Sequence, residues 1–243
     1  MPKVRLDQLV VDRGLAPSRE RARALILAGH VLVDGHTSSK AGTAVDADAP
    51  VELLEPDHPY VGRGGLKLAH ALDTFQIRVT DRECLDIGAS TGGFTDVLLQ
   101  RGARRVVALD VGHGQIAWTL RTDSRVVVIE GFNARHLRPD DLPSLVDLVV
   151  IDVSFISLRQ IFPVVPSLLT PGADVVALVK PQFEAGRSEV RKGIIHDAAV
   201  HERVLAEVTA AAAAIGLTAA GSTPSPITGQ KGNVEFLLHL RPS

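Results

Sequence analysis

From residue 83 onward, short apolar runs alternate with helix-patterned stretches, and this alternation limits the fold more than any other feature of the chain. The runs are CLDI (84–87), RVVALD (105–110), RVVVIE (125–130), DLVVID (147–152) and DVVALVK (174–180). Each is apolar on successive residues, so neither face can stand in water. Such strands belong in a parallel sheet with helices on both sides. FTDVLLQRG (94–102), QIAWTLR (115–121), LRQIFPVVPSLL (158–169) and HERVLAEVTAAAAAIG (201–216) supply the intervening helical patterns. Pro163 and Pro166 fall inside the third, which is therefore expected to be short, kinked or broken. No helical pattern intervenes within 217–240, so the last segments should form an antiparallel pair. The expected class is α/β, a doubly wound Rossmann-like sheet, mostly parallel with an antiparallel C-terminal strand.

Residues 1–55 read as a separate, small α+β unit. Leu6, Leu9 and Val10 give a helix over 5–13 that ends at Gly14. Ala22, Leu25 and Ile26 give a second, with Ser18 as its N-cap and Gly29 as its stop. VLVDG (31–35) and VELL (51–54) read as strands. EPDHPYVGRGG (55–65), with two prolines and three glycines, marks a linker, placed at 56–63. The large domain then covers 64–243, opening with a helix over Leu66–Phe75.

Composition narrows the function. A net charge of −2 argues against a uniformly basic nucleic-acid binder, yet residues 1–40 carry seven lysines and arginines against four acids. A basic segment on an acidic chain marks a nucleic-acid-facing module. Arg19, Arg21 and Arg23 on its second helix are candidates for phosphate contact, or else a solvated face. Aromatic residues, at 4%, are too few for a broad base-stacking surface. The single cysteine, Cys84, permits neither an internal disulfide nor a cysteine zinc site, and no metal is expected. The N-terminus has no apolar signal segment and no stretch reaches the length of a membrane span, so a cytoplasmic protein with no membrane partner is expected.

The chemistry concentrates at strand ends. LDIGASTGGF (85–94) leads a strand into a helix through Gly88, Gly92 and Gly93, where backbone can approach a ligand closely. Its G-x-x-x-G-G spacing departs from the G-x-G-x-x-G of pyrophosphate-binding loops and favours a ligand such as S-adenosylmethionine. Asp86 and Asp110 end successive strands 24 residues apart. A carboxylate at the second position can bind both ribose hydroxyls of a nucleoside, although simple strand-end capping also places acids there. Asp152 and Lys180 end two further strands, and Glu235 interrupts NVEFLLHL. In a doubly wound sheet the carboxyl ends of parallel strands face one crevice, so Asp152 and Lys180 should approach each other and the glycine loop. Each is ordinary alone; together they describe a lysine flanked by carboxylates.

These stretches resemble a known family. RLDQLVVDRGLAPSRERARALILAGHVLVDG (5–35) is similar to the α-L RNA-binding domain first seen in a small-subunit ribosomal protein. YVGRGGLKL, CLDIGASTGGFTDVLLQRGA, VALDVGHGQ, VVIDVSFISL, VALVKPQFE and KGNVEF resemble successive blocks of the TlyA (haemolysin-A) family of ribosomal RNA 2′-O-methyltransferases, over nearly the whole chain. Similarity to the wider FtsJ-like methyltransferases places a Lys-Asp-Lys-Glu tetrad on Lys67, Asp152, Lys180 and Glu235. The resemblance implies S-adenosyl-L-methionine held by Asp86, Gly88, Ser90, Thr91, Gly92, Gly93, Phe94, Asp110, Asn133 and Asp152. The block around Asn133, IEGFNAR, matches more loosely than its neighbours. RNA is assigned to Arg5, Arg19, Arg21, Arg23 and Arg63.

The implied substrate is cytidine ribose in 16S ribosomal RNA, 23S ribosomal RNA or both, within ribosomal subunits or their precursors, and a monomer is expected. Lys180 is either the base, as a neutral amine, or a group that orients the hydroxyl. Burial and Lys67 favour the neutral form while Asp152 and Glu235 oppose it, so both roles stay open. Arg187, Arg191 and Lys192 sit on a segment, 181–193, that reads as a mobile lid or a solvated loop. Three other readings compete. The glycine spacing speaks against a nucleotide-dependent oxidoreductase. The lack of a signal or spanning segment speaks against a membrane-active lysin. The complete tetrad speaks against an RNA-binding protein with an inactive catalytic domain.

Overall fold

A computed structural model describes residues 2–54, 58–186 and 189–243. The chain forms two compact units, Met1–Pro59 and Tyr60–Ser243.

In the first unit, β1 (Lys3–Arg5) leads into α1 (Leu6–Asp12), and α2 (Arg19–Leu27) follows. Ser18 caps α2 by accepting from the Arg21 backbone N–H at 3.2 Å. β2 (Val31–Val33), β3 (His36–Thr37), β4 (Ala44–Asp46) and β5 (Val51–Leu53) complete the unit. They form a β3-β2-β5 sheet and a separate β1-β4 pair. Leu6, Leu9 and Val10 of α1 pack on Ala22, Leu25 and Ile26 of α2 and on Val31, Val45 and Val51. Both helices therefore bury the stripes that their spacing marks. The strands β1, β3 and β4 carry no sequence signal, being two or three residues long and mostly exposed.

The second unit begins with α3 (Gly64–Thr74), then β6 (Glu83–Ile87), α4 (Gly93–Gln100), β7 (Arg105–Asp110), α5 (Trp118–Arg121) and β8 (Val126–Glu130). β9 (Val146–Ile151), β10 (Leu169–Val179), α6 (Pro181–Glu184), α7 (Ala198–Ala213), β11 (Leu217–Pro224) and β12 (Phe236–Pro242) follow. Helix α3 starts two residues before the expected Leu66. The helix expected over 115–121 is confined to α5. Residues Phe162–Leu168 form a 3-10 helix rather than an α-helix, as the prolines require.

The seven strands are ordered β11-β12-β10-β9-β6-β7-β8. β10, β9, β6, β7 and β8 run parallel, whereas β12 is antiparallel to both β10 and β11. Two apolar layers cover the sheet. Leu85, Ile87, Val175, Ala177 and Val179 face α7 residues such as Val204 and Val208, and Cys84, Val176 and Leu178 face Leu68 and Leu72 of α3. Burial on both faces explains the unbroken apolar runs. Since β6 has β7 on one side and β9 on the other, the strand order reverses there, which is where open α/β sheets bind ligands. At the opposite end of the sheet Asp174 is 3% exposed and meets Arg82, His239 and Arg241 at 2.7, 2.8 and 2.9 Å. Burial opposes its ionisation, but hydrogen bonds with His239, Arg82 and Arg241 hold its carboxyl well below the usual range.

Candidate active site

Parallel strands β9 and β10 end side by side, which delivers Asp152 and Lys180 to one place. Lys180 Nζ lies 2.6 Å from Asp152 Oδ1, an ion-pair contact, and donates to Ser154 Oγ at 2.9 Å. The β10–β12 register pairs Val179 with Phe236, so the next residues, Lys180 and Glu235, oppose each other at the strand ends. Glu235 accepts from Lys67 Nζ at 2.5 Å, and α3 carries Lys67 onto this end of the sheet. The tetrad thus forms two lysine–carboxylate pairs at the carboxyl end of the sheet. Lys67 and Glu235 side chains are 10% and 2% exposed, Lys180 and Asp152 10% and 21%. A buried ion pair adds little stability against its desolvation cost, so two of them at a strand-end crevice fit a functional role.

Next to the pairs lies a cavity of about 450 Å³. Ile87, Leu109, Phe132 and Ile161 give it apolar walls; Ser90, Asp110, Asn133, Asp152 and Ser154 are among its polar groups. A smaller pocket, lined by Arg63, Gly64, Thr91, Gly93 and Phe94, shares Gly88, Ser90 and Asp152 with it. The two adjoin at the glycine loop. Gly92, at φ +97°, leads into α4, and Asp110 ties the loop down, accepting from the backbone N–H groups of Ser90 at 2.8 Å and Gly112 at 2.7 Å. Asn133 Oδ1 accepts from the Arg135 backbone N–H at 3.1 Å, which sets the Asn133 side chain at the cavity edge.

Asp86 is placed differently from the other candidates. It is fully buried beneath the loop, lines neither cavity, and accepts from Thr95 Oγ1 at 2.7 Å. Burial is the main influence pushing its carboxyl up to about 7; Thr95 hydrogen bonds oppose this, and the charges of Asp152 and Asp110 add to it. The folded value exceeds the unfolded value of about 3.9. The group's contribution to stability is therefore complete below about pH 3.9 and lost as pH rises through about 7. Asp86→Asn, isosteric and uncharged, is expected to flatten that loss, measured as urea midpoints across this pH window. Midpoints that keep the wild-type slope would contradict the assignment.

Arg63 stands just before α3 and lines the smaller pocket. Arg5, Arg19 and Arg23 gather in the first unit around Asp7, while Arg21 donates to the His58 carbonyl at 3.2 Å and so belongs to another face of α2. In segment 181–193, which opens with α6, Arg187 lies outside the described residues. Its C-terminal part is tied down, with Asn233 Nδ2 donating to the Gly193 carbonyl at 2.9 Å. Among the described residues no cluster of three or more His, Cys, Asp or Glu side chains is arranged to hold a metal ion.

Two residues here had no sequence signal. Ser154 receives the Lys180 amine. Glu184, with a side chain 2% exposed, accepts from Ser157 Oγ at 2.6 Å and the Leu158 backbone N–H at 2.8 Å. It braces the loop after β9 against α6. Ser154 lies in a loop and Glu184 ends the four-residue α6, and neither setting carries a periodicity that would mark them.

Residues 60–242 match the FtsJ-like methyltransferase family, and residues 4–51 match the S4 domain. The chain is 48% identical to the 16S/23S rRNA (cytidine-2′-O)-methyltransferase TlyA of Mycobacterium tuberculosis, over 98% of this chain and 90% of that protein. It is 45% identical to hemolysin A of Brachyspira hyodysenteriae, over 98% and 99%. A solved structure from Streptococcus thermophilus, described as a candidate hemolysin, aligns with a TM-score of 0.79 and 46% identity, covering 100% of this chain and 90% of that one. With the catalytic-domain family matched over most of its length, the chain belongs to the FtsJ-like methyltransferases, in the branch of TlyA and hemolysin A.

Proposed function

We propose that the protein transfers a methyl group from S-adenosylmethionine to the 2′-oxygen of a cytidine in ribosomal RNA. The observation that carries this is the pair of lysine–carboxylate contacts, Lys180–Asp152 and Lys67–Glu235, at the strand-end crevice beside a cavity of small-molecule size. The relative in M. tuberculosis, named for this reaction, supports the choice of acceptor. Among the described residues no helix is long and apolar enough to cross a membrane.

The cavity's residues fit the cofactor. Its apolar walls suit a purine, and Asp110, at the end of β7, stands where ribose hydroxyls need an acceptor. When bound, the cofactor supplies an electrophilic methyl group on a sulfonium. Lys180 deals with the proton. A neutral amine has two N–H bonds and one lone pair. Ser154 accepts one N–H bond and the Asp152 carboxylate lies 2.6 Å from the amine, which turns the lone pair of the neutral form toward the 2′-hydroxyl proton as its oxygen attacks. Asp152 then balances the ammonium that forms. Lys67, fixed by Glu235, adds positive charge where the 2′-oxygen becomes electron-rich.

The test is transfer of labelled methyl to separated 30S subunits, 50S subunits and protein-free ribosomal RNA from an unmethylated host. Label is expected in RNA as 2′-O-methylcytidine. Cofactor binding without label in any of the three would move the acceptor outside ribosomal RNA.

A further inference from the structure

We propose that Asp7 is a positioning residue for RNA, gathering Arg5, Arg19 and Arg23 into a preformed clasp for backbone phosphates. This rests on the ribosomal RNA reading and adds to it the residue that shapes the RNA-facing surface of the first unit. By charge alone Asp7 counts against RNA binding. Its surroundings reverse that sign.

The Asp7 side chain is fully buried, at 0% exposure, while the three arginines around it stay 50%, 52% and 60% exposed. Arg5 grips it with both prongs of its fork, Nε to Oδ1 at 3.0 Å and a terminal nitrogen to Oδ2 at 2.9 Å. Arg19 donates to Oδ2 at 3.1 Å, and Arg23 Nε lies 3.7 Å from the same oxygen. The arginines come from two elements. Arg5 ends β1, and Arg19 and Arg23 stand one turn apart on α2. Gly42 leaves room for Arg5, since a methyl group there would lie 3.3 Å from the guanidinium. The Arg5 hydrogen bonds, ahead of the opposing burial, hold the carboxyl down at about 2, so the anchor stays charged at any physiological pH.

One buried anion thus sits beneath three half-exposed cations. A guanidinium carries five donors, and these contacts use two from Arg5 and one from Arg19. Side chains this long lose conformational freedom on binding, and a carboxylate that orders them beforehand removes part of that cost. Arginine's planar fork suits bidentate phosphate contact.

The test is a sign. Asp7→Asn makes the surface more positive by one charge. Electrostatics without positioning therefore predicts tighter RNA binding, and the clasp predicts weaker. For the full chain and labelled protein-free ribosomal RNA, the expected rise in Kd is about tenfold, the loss of roughly one charge-assisted contact. The slope of log affinity against log salt should also fall by about 0.9. Arg19→Lys, at a half-exposed position, keeps the charge but loses the fork, and it should weaken binding as well. Thermal unfolding identifies an Asp7→Asn protein that has not folded, in which case Arg19→Lys decides alone. Equal or tighter binding by folded Asp7→Asn, or wild-type affinity in Arg19→Lys, overturns the clasp while leaving the RNA reading intact. Wild-type protein that fails to bind ribosomal RNA overturns both.

Discussion

Replacing Lys180 with alanine is expected to lower methyl transfer by roughly a hundred- to ten-thousand-fold, the range for removing a positioned general base. Cofactor affinity should change little, because Lys180 does not line the large cavity. The fold should survive, since the orphaned Asp152 is 21% exposed and can take up water. Lys67→Ala differs. It strands Glu235 at 2% exposure, and an uncompensated buried charge costs about 3–5 kcal/mol. Lost activity there would carry lost stability with it. Lys180→Arg separates the two roles open to Lys180. A guanidinium is never deprotonated in proteins, so it can orient a hydroxyl but cannot take its proton. If Lys180 is the base, the arginine variant is as slow as the alanine variant at every pH. A variant that keeps most of its rate, with the wild-type pH profile, would leave Lys180 an orienting role only.

How much of this could be read in advance depends on where a signal is stored. The five parallel strands were legible because burial on both faces writes an unbroken apolar run. Asp152 and Lys180 were legible because each ends such a run, and the sheet topology brings those ends together. The Lys67–Glu235 pair was not. Its partners are 168 residues apart, so no local pattern links them, and family resemblance alone pointed there. Asp86 is the opposite case. Its position at a strand end reads as a ligand contact, yet its side chain turns into the core toward Thr95. Arg19, Arg21 and Arg23 read as phosphate contacts or a solvated face, but helical geometry sends Arg21 elsewhere, and only three-dimensional packing shows Asp7 beneath the other two.

Gly88→Ala should cost both stability and activity, through a clash that cannot be relieved by a side-chain rotation. Gly88 sits at φ +88°, where a side chain costs roughly 1–2 kcal/mol. The added methyl would also lie 2.3 Å from the carbonyl oxygen of Asp152 and 2.9 Å from its carbonyl carbon. Those are backbone atoms, pinned because the Asp152 N–H donates to the Ile87 carbonyl at 2.9 Å and the Gly88 N–H to the Leu109 carbonyl at 2.8 Å. Relief requires β6 and β9 to part at their ends. That moves Asp152 away from Lys180 and deforms the wall shared by the two cavities. Overpacking of this kind adds about 1–3 kcal/mol. A clear drop in melting temperature is expected, with loss of cofactor affinity by calorimetry and of methyl transfer. Gly92→Ala is the control. Its φ of +97° carries similar backbone strain, but the nearest obstacle is Leu120 Cδ1, the movable tip of a side chain. It should therefore be the milder variant on all three readouts. If the two are equally damaging, backbone strain alone sets the cost, and contact with the Asp152 carbonyl plays no part in shaping the site.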